Sequence, residues 1–207
     1  MKNLYPFPAG CSFRLVLLRH GEPSKEVHGR CYGTTDAGLS DIGREQIRNK
    51  LDLLQCLKVN ALYTSPCKRA VESALIADSI LGLSPQTVPE LSEINFGAFE
   101  GLTYEEIERL YPEPYRLWME RPTEITFPDG ESFAVMKQRV LGFVRGLSPA
   151  HPGHTVLIVA HGGVNRAILA DALGMPNETA FRLDQAHAAT SMIDYFADSP
   201  VVTLINV

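Results

Sequence analysis

The sequence predicts a three-layer α/β/α sandwich with a mainly parallel central sheet. Three observations carry that prediction. Short apolar runs, "FRLVLL" (13–18), "NALYTS" (60–65) and "TVLIVA" (155–160), alternate with segments of helical periodicity. The first and third runs are nearly continuous in apolar character, as strands covered on both faces must be. At 207 residues, finally, the chain is long enough for one domain, 1–207, with a substantial core.

Each element has its own signal. The 13–18 strand ends at His20-Gly21, and a loop with Gly29, Gly33 and Gly38 follows. Ser40 is placed to cap a helix whose buried side includes Ile47, Leu51 and Leu54. After the second strand, Ser65-Pro66 offers an N-cap with proline at the first helical position, and Gly82 closes that helix. "TYEE" (103–106) is a capping-box pattern opening a short helix. Residues 111–128, with four prolines and Trp118, read as an irregular excursion over one end of the sheet. Phe133, Met136, Val140, Phe143 and Leu147 then recur at three- and four-residue steps, the face of a core helix. The third strand runs into His161-Gly162-Gly163 and a helix to Leu173, with Gly174 beyond it. "TSMIDYF" and "VVTLINV" around Asp198-Ser199-Pro200 read as a terminal hairpin.

Composition narrows the function. A net charge of −5 gives no electrostatic support for nucleic-acid or membrane-surface binding, so an anion site must be a local basic cluster in an acidic body. Cys11, Cys31, Cys56 and Cys67 form no CxxC pair and no metal spacing, and read as reduced thiols in a cytoplasmic protein. "MKNLYPFPAGCSF" has no apolar h-region, so no signal peptide is expected. No apolar run is long enough to span a bilayer.

The chemistry collects at strand ends, where ligands bind in open α/β sheets. One strand delivers Arg19-His20-Gly21, one reaches "TSPCKRA", and one delivers His161-Gly162-Gly163. If these strands are parallel, all three sites share one edge. Arg69 stands in the first turn of its helix, where the macrodipole favours anions. Either it swings out to solvent or a bound phosphate compensates it. "PELSEINFGAFEG" (89–101) supplies Glu90, Glu93 and Glu100. A carboxyl in such a glycine- and phenylalanine-rich loop, beside a dianion, would be held protonated and able to donate. A solvated acidic loop is the other reading and suits Glu90 and Glu100 well. His20 and His161 have no metal-ligand spacing. No G-x-G-x-x-G follows a strand, which excludes a Rossmann dinucleotide site.

"LVLLRHGEP", "TSPCKRA", "ELSEINFGAFEG" and "VAHGGVNRA", in that order, resemble the four signature blocks of the histidine phosphatase superfamily, with its phosphoglycerate-mutase-like fold. The resemblance implies that His20 is the nucleophile that becomes phosphohistidine and that Arg19 and Arg69 hold the phosphoryl oxygens. It implies that His161 stabilises charge in transfer with the Gly162 N–H facing an oxygen. Glu93 takes the place of the acid that protonates the leaving alcohol and then helps deprotonate water. No cofactor and no metal are implied.

The superfamily contains mutases, phosphatases and members that mainly bind partners. Mutases carry an arginine directly after the acid, whereas Glu93 is followed by Ile94-Asn95-Phe96, and the long mutase insertion has no room between Gly101 and Asp129. Hydrolysis is therefore favoured over mutase activity. A non-catalytic phosphate binder would not need nucleophile, acid and both arginines together. "GRCYGTTDAGLSDIGREQ" and "FRLDQAHAATSMIDYF" resemble the α-ribazole phosphatases of cobalamin synthesis most, with broad-specificity phosphatases of the superfamily as the alternative. The expected partner is a small-molecule phosphate ester, with the chain a monomer or homodimer.

Two departures from the pattern stand near the phosphate, Pro23 and Glu26, and Glu26 is expected to face out. Cys31, Tyr32 and Gly33 either form a plain turn or line the pocket, Tyr32 through its hydroxyl and Gly33 through its backbone. His187 is a candidate to approach the site, and Cys67 is a pocket-edge thiol or a small buried hydrophobe. Tyr115 and Trp118 are candidates to stack on a flat substrate. His28, His151 and His154 read as solvated.

Overall fold

The computed structural model describes residues 5–207, so the first four residues of the N-terminal segment lie outside the described part. The strands are β1 (Phe13–Arg19), β2 (Ala61–Thr64), β3 (Gln86–Thr87), β4 (Thr155–Ala160), β5 (Thr190–Tyr195) and β6 (Pro200–Leu204). They form one sheet in the order β3-β2-β4-β1-β5-β6. β1 to β4 are mutually parallel, while β5 runs antiparallel to β1 and pairs with β6 as the terminal hairpin. The sheet is thus mainly parallel, as the apolar runs predict.

Among the described residues there are seven α-helices: α1 (Asp41–Arg48), α2 (Leu51–Cys56), α3 (Lys68–Leu81), α4 (Tyr104–Leu110), α5 (Pro112–Glu120), α6 (Phe133–Ala150) and α7 (Gly162–Ala172). Side chains alternate along each strand, so β1 feeds two cores. Val16 and Leu18 pack with Ile47, Leu54, Ala74 and Ala77 of α1 to α3. Leu15 and Leu17 pack on the opposite face with α6 and α7 through Phe133, Met136, Val140 and Ile168. Three layers result. Each fully buried aliphatic side chain contributes roughly 1.5–3 kcal/mol of transfer free energy.

Ser40 caps α1 through Gly43 N–H, and Thr103 with Glu106 closes a complete capping box on α4. Gly82 ends α3 in the left-handed region at φ 64°. Three expectations need correction. The helix from Ser40 is interrupted because Lys50 N–H bonds Ile47 carbonyl, one residue short of the α pattern. Residues 111–128 are not irregular throughout: Pro112 and Pro114 sit in the first turn of α5, where no N–H is needed from them. Ser65 does not cap α3, which starts at Lys68 with Asp36 Oδ1 accepting the Lys68 N–H (2.9 Å). The Ser65 hydroxyl is instead 2.7 Å from His161 Nε2. Among the described residues, no helix is long and apolar enough to cross a membrane.

Candidate active site

Register assembles the site. β1 and β4 are adjacent and parallel, with Arg19 opposite Ala160, so the next residue of each strand is a histidine. His20 N–H bonds Ala160 carbonyl (2.9 Å), and the rings of His20 and His161 meet edge-on with centroids 5.2 Å apart. β2 ends beside β4, and Ser65 N–H bonds Val159 carbonyl. The three reactive strand ends lie at one edge.

The hydrogen bonds select the tautomer of His20. Its Nδ1 lies 2.7 Å from the Gly21 carbonyl, which can only accept, so Nδ1 carries the proton. Nε2 keeps its lone pair and accepts a bond from Arg69 Nε at 3.3 Å. Burial, then the charges of Arg69 and Arg19, hold the His20 pKa well below the ordinary imidazole range. Burial, followed by Arg69, does the same for His161. His20 is therefore a neutral imidazole with an unprotonated Nε2, the form a nucleophile requires.

Arg69 is fully buried, and the solvent-facing reading of its side chain is wrong. Its Nη atoms donate to the carbonyls of Gly33 (2.6 Å) and Thr35 (2.9 Å), and its guanidinium lies 5.2 Å from the Tyr32 ring centroid. Glu100 holds that loop. Its carboxylate accepts N–H bonds from Gly33, Thr34, Thr35 and Phe96, and the Thr35 hydroxyl. Burial raises the Glu100 pKa, but these donors outweigh it and the net shift is downward. Glu100 is thus a structural carboxylate and not a solvated one. Gly33 likewise gives its N–H to Glu100, which removes the expected backbone contact with a substrate. A side chain there would collide with Ile94 carbonyl at 1.9 Å.

Arg19 donates to the Gln185 carbonyl and, through Nη2, to His187 Nε2 at 3.1 Å. Its Nε is buried without a partner among the described residues. Glu93 accepts the Gly163 N–H at 3.0 Å, which seats its carboxylate at the positive N-terminus of α7. Gly162 opens that helix; a Cβ there would lie 3.1 Å from Arg166 Nη1 and 3.5 Å from Arg19 Nε, so two cations converge on this helix start.

Arg19, His20, Arg69 and Glu93 line a cleft of about 230 Å³ with Arg30, Cys31, Tyr32, Phe96, Tyr104, Trp118 and Arg166, and His161 lies buried behind His20. A smaller, apolar pocket of about 120 Å³ shares Glu93, Phe96, Trp118 and Arg166 with the cleft and is walled by Phe127, Met136 and Phe181 among others. Cys31 and Tyr32 are therefore at the cleft, while Cys67 is buried with its thiol towards the Gly33 carbonyl. Trp118 lines the cleft, while Tyr115 packs against the core. Glu26 is exposed. His151 is hydrogen-bonded to the Tyr63 hydroxyl (2.9 Å), contrary to the solvated reading. Among the described residues, no three His, Cys, Asp or Glu side chains form a metal-holding group.

One contributor escaped the sequence reading. Arg166, one turn into α7, places its guanidinium in the cleft. Its Nε donates to Leu183 carbonyl and its face covers Phe181 at 5.3 Å. The helical i+4 step from Gly162 was the available signal. His187, a candidate in the sequence, does approach the site, its ring centroid 5.5 Å from that of His20.

Residues 15–207 match the histidine phosphatase superfamily (branch 1). The chain belongs to that superfamily. Phosphoserine phosphatase 1 of Hydrogenobacter thermophilus is 30% identical over 194 residues, 94% of this chain and 92% of that protein. The adenosylcobalamin/alpha-ribazole phosphatase of Escherichia coli is 32% identical over 174 residues, 83% of this chain and 86% of that one. The crystal structure of the alpha-ribazole phosphatase from Shigella flexneri superposes with a TM-score of 0.85 at 30% identity, covering 94% and 96% of the two chains. The fold of this histidine phosphatase is accordingly phosphoglycerate-mutase-like, and its chemistry is that of a phosphatase.

One prediction arises from the histidines themselves. Burial, then Arg19, lowers the His187 pKa to about 4, and His20 and His161 are lowered as well. Unfolded imidazole titrates near ~6.5, so between that value and about 4 the unfolded chain binds more protons than the fold. Stability must rise with pH across this window and fall as pH drops through it. The His187→Gln variant, which keeps an acceptor for Arg19, should lose less stability between pH ~6.5 and ~5 than the parent. The slope difference is at most about 1.4 kcal/mol per pH unit, reduced because the ring is partly solvated. Parallel melting curves over this range measure it, and identical slopes would refute the assignment of that proton to His187.

Proposed function

We propose that this histidine phosphatase is a metal-independent phosphomonoesterase working through a phosphohistidine on His20, with α-ribazole 5′-phosphate, an intermediate of cobalamin synthesis, as its substrate. The observation that carries the chemistry is the unprotonated Nε2 of His20, fixed by the Nδ1 bond to the Gly21 carbonyl and set between Arg19, Arg69 and His161. His20 Nε2 attacks phosphorus as the ester P–O bond breaks. Glu93 gives its proton to the departing alkoxide, and its carboxylate then takes a proton from the water that attacks the phosphohistidine. Inorganic phosphate leaves and His20 is restored. Arg19, Arg69, His161 and the Gly162 N–H supply the fixed positive field that phosphoryl transfer demands.

The leaving-group side suits an alcohol that carries a flat aromatic base. Tyr104 and Trp118 stack at 5.5 Å with an interplanar angle of 16°, and Trp118 also packs against Phe96 and Phe127. An aromatic wall of this kind recognises a planar base through its face. In the presence of EDTA, kcat/KM for α-ribazole 5′-phosphate should exceed that for phosphoserine by roughly 10- to 200-fold, the range an apolar pocket provides. Trp118→Ala should raise KM for α-ribazole 5′-phosphate and leave phosphoserine unaffected. Equal kcat/KM for the two esters would exclude the ribazole assignment while leaving the phosphatase chemistry intact.

A second reading has its own observation. The terminal nitrogens of Arg166 have no partner among the described residues and lie in the cleft beside Glu93, where they suit an acidic leaving group such as that of phosphoserine. Under that reading the order of the two esters reverses, and Arg166→Met lowers kcat/KM for phosphoserine alone.

A further inference from the structure

Glu93 lies on a stretch without helix or strand: residues 92–96 join two 3₁₀ turns, Pro89–Leu91 and Gly97–Phe99. A proton donor must be held within a fraction of an ångström of its target. Something other than local secondary structure must fix this segment.

Arg139 of α6 is placed to do so. Its Nη1 donates to the carbonyls of Glu90 (2.7 Å) and Ser92 (2.7 Å), and its Nη2 to the carbonyl of Glu93 itself (3.0 Å). Nη2 also donates to Glu131 Oε1 (2.6 Å) and Nε to Glu131 Oε2 (3.2 Å). All five guanidinium N–H groups are thereby engaged. Glu131 extends the clamp, accepting the Asn95 N–H (3.0 Å) and donating its own N–H to the Asn95 carbonyl (3.0 Å). The pair is largely buried, with side-chain exposures of 24% and 16%, so water screens it little. Residues 90 to 95 are pinned at Glu90, Ser92, Glu93 and Asn95, and the Glu93 carboxylate is left facing Gly163 N–H and the cleft.

We propose that Arg139, locked by Glu131, is the positioning residue of the Glu93 carboxyl and controls proton delivery to the leaving group without touching substrate. The inference rests on the reading of Glu93 as the acid. Lysine cannot replace this fork, because one ammonium cannot hold three carbonyls and a carboxylate in a plane.

The test measures kcat/KM, which reports the steps up to phosphoenzyme formation, on p-nitrophenyl phosphate and on an alkyl monophosphate. The first leaving group needs no proton; the second does. Arg139→Ala should cost about 10²-fold on the alkyl ester, the scale of an ångström-sized misplacement, and less than about threefold on p-nitrophenyl phosphate. Arg139→Lys should recover part of the alkyl-ester loss, and Glu131→Gln should show the same selectivity at smaller size. The latter two variants carry the test if the alanine variant does not fold. Glu93→Gln is measured alongside. If it is leaving-group selective while the Arg139 and Glu131 variants lose equally on both esters, the positioning role is overturned and the acid assignment stands. If Glu93→Gln itself loses equally on both, the acid assignment falls and the positioning role falls with it.

Discussion

His20→Ala should abolish turnover and the acid-labile phosphoenzyme together. Deleting a catalytic nucleophile costs on the order of 10⁶ in kcat, and here it also removes the acceptor that Arg69 Nε holds at 3.3 Å. The loss is specific to the ring nitrogen. Gly21 carbonyl fixes the Nδ1 proton, so the attacking lone pair exists only on Nε2. His20→Gln retains bulk and polarity in the buried site but no imidazole, and it should be as inactive as alanine while melting closer to the parent. Brief incubation with phosphate-labelled substrate followed by quenching tests the claim: label on the parent that is lost in acid and kept in base, and none on either variant. EDTA should change neither labelling nor rate in the parent. Label persisting on His20→Gln would move the nucleophile elsewhere, and His161, 5.2 Å away between centroids, would be examined next.

The parts of this site that were legible in the sequence are those dictated by local chemistry. Three apolar runs ending in polar residues had to be strands opening on one edge, and two His-Gly steps on parallel neighbours had to meet. The parts that were hidden depend on partners far away in the chain. Ser65 has the right residue type for a cap, but its hydroxyl lies against His161, 96 positions on, and Asp36 takes over the helix N-terminus. Glu100 looked like surface acid because nothing near it shows that residues 33–35 fold back over its carboxylate. The two-residue β3 is too short for any periodicity. α5 was masked by its prolines, which mark a break unless both fall in the first turn. Arg166 carries little local signal of its role, since its orientation depends on Leu183 and Phe181.

Arg69→Lys is the second substitution expected to be severe, and the structure explains why charge alone is not enough. Burying a guanidinium costs several kcal/mol, on the order of the effective penalty for any desolvated ion. Here the Gly33 and Thr35 carbonyls and the Tyr32 ring offset that cost. Those contacts leave Nε directed at His20 Nε2, the point where the phosphoryl group must arrive. Lysine keeps the charge but not the planar fork, so it can satisfy the loop carbonyls or meet the phosphoryl oxygens, not both. Loss of a phosphoryl-stabilising arginine costs on the order of 10³-fold or more. On the proposal that Arg69 meets the phosphoryl group in both bound ester and transition state, kcat should fall and KM rise together, and orthovanadate should bind more weakly in proportion to kcat/KM. Arg69→Ala leaves the Thr35 carbonyl with only the Ala37 N–H (3.0 Å) and the Gly33 carbonyl with only the Cys67 thiol (3.9 Å), and should melt lower than the lysine variant. A lysine variant within tenfold of the parent in kcat/KM would show that Arg19, with its unpartnered buried Nε, carries the phosphoryl charge without Arg69. The Glu100 clamp would then serve the 33–35 loop alone.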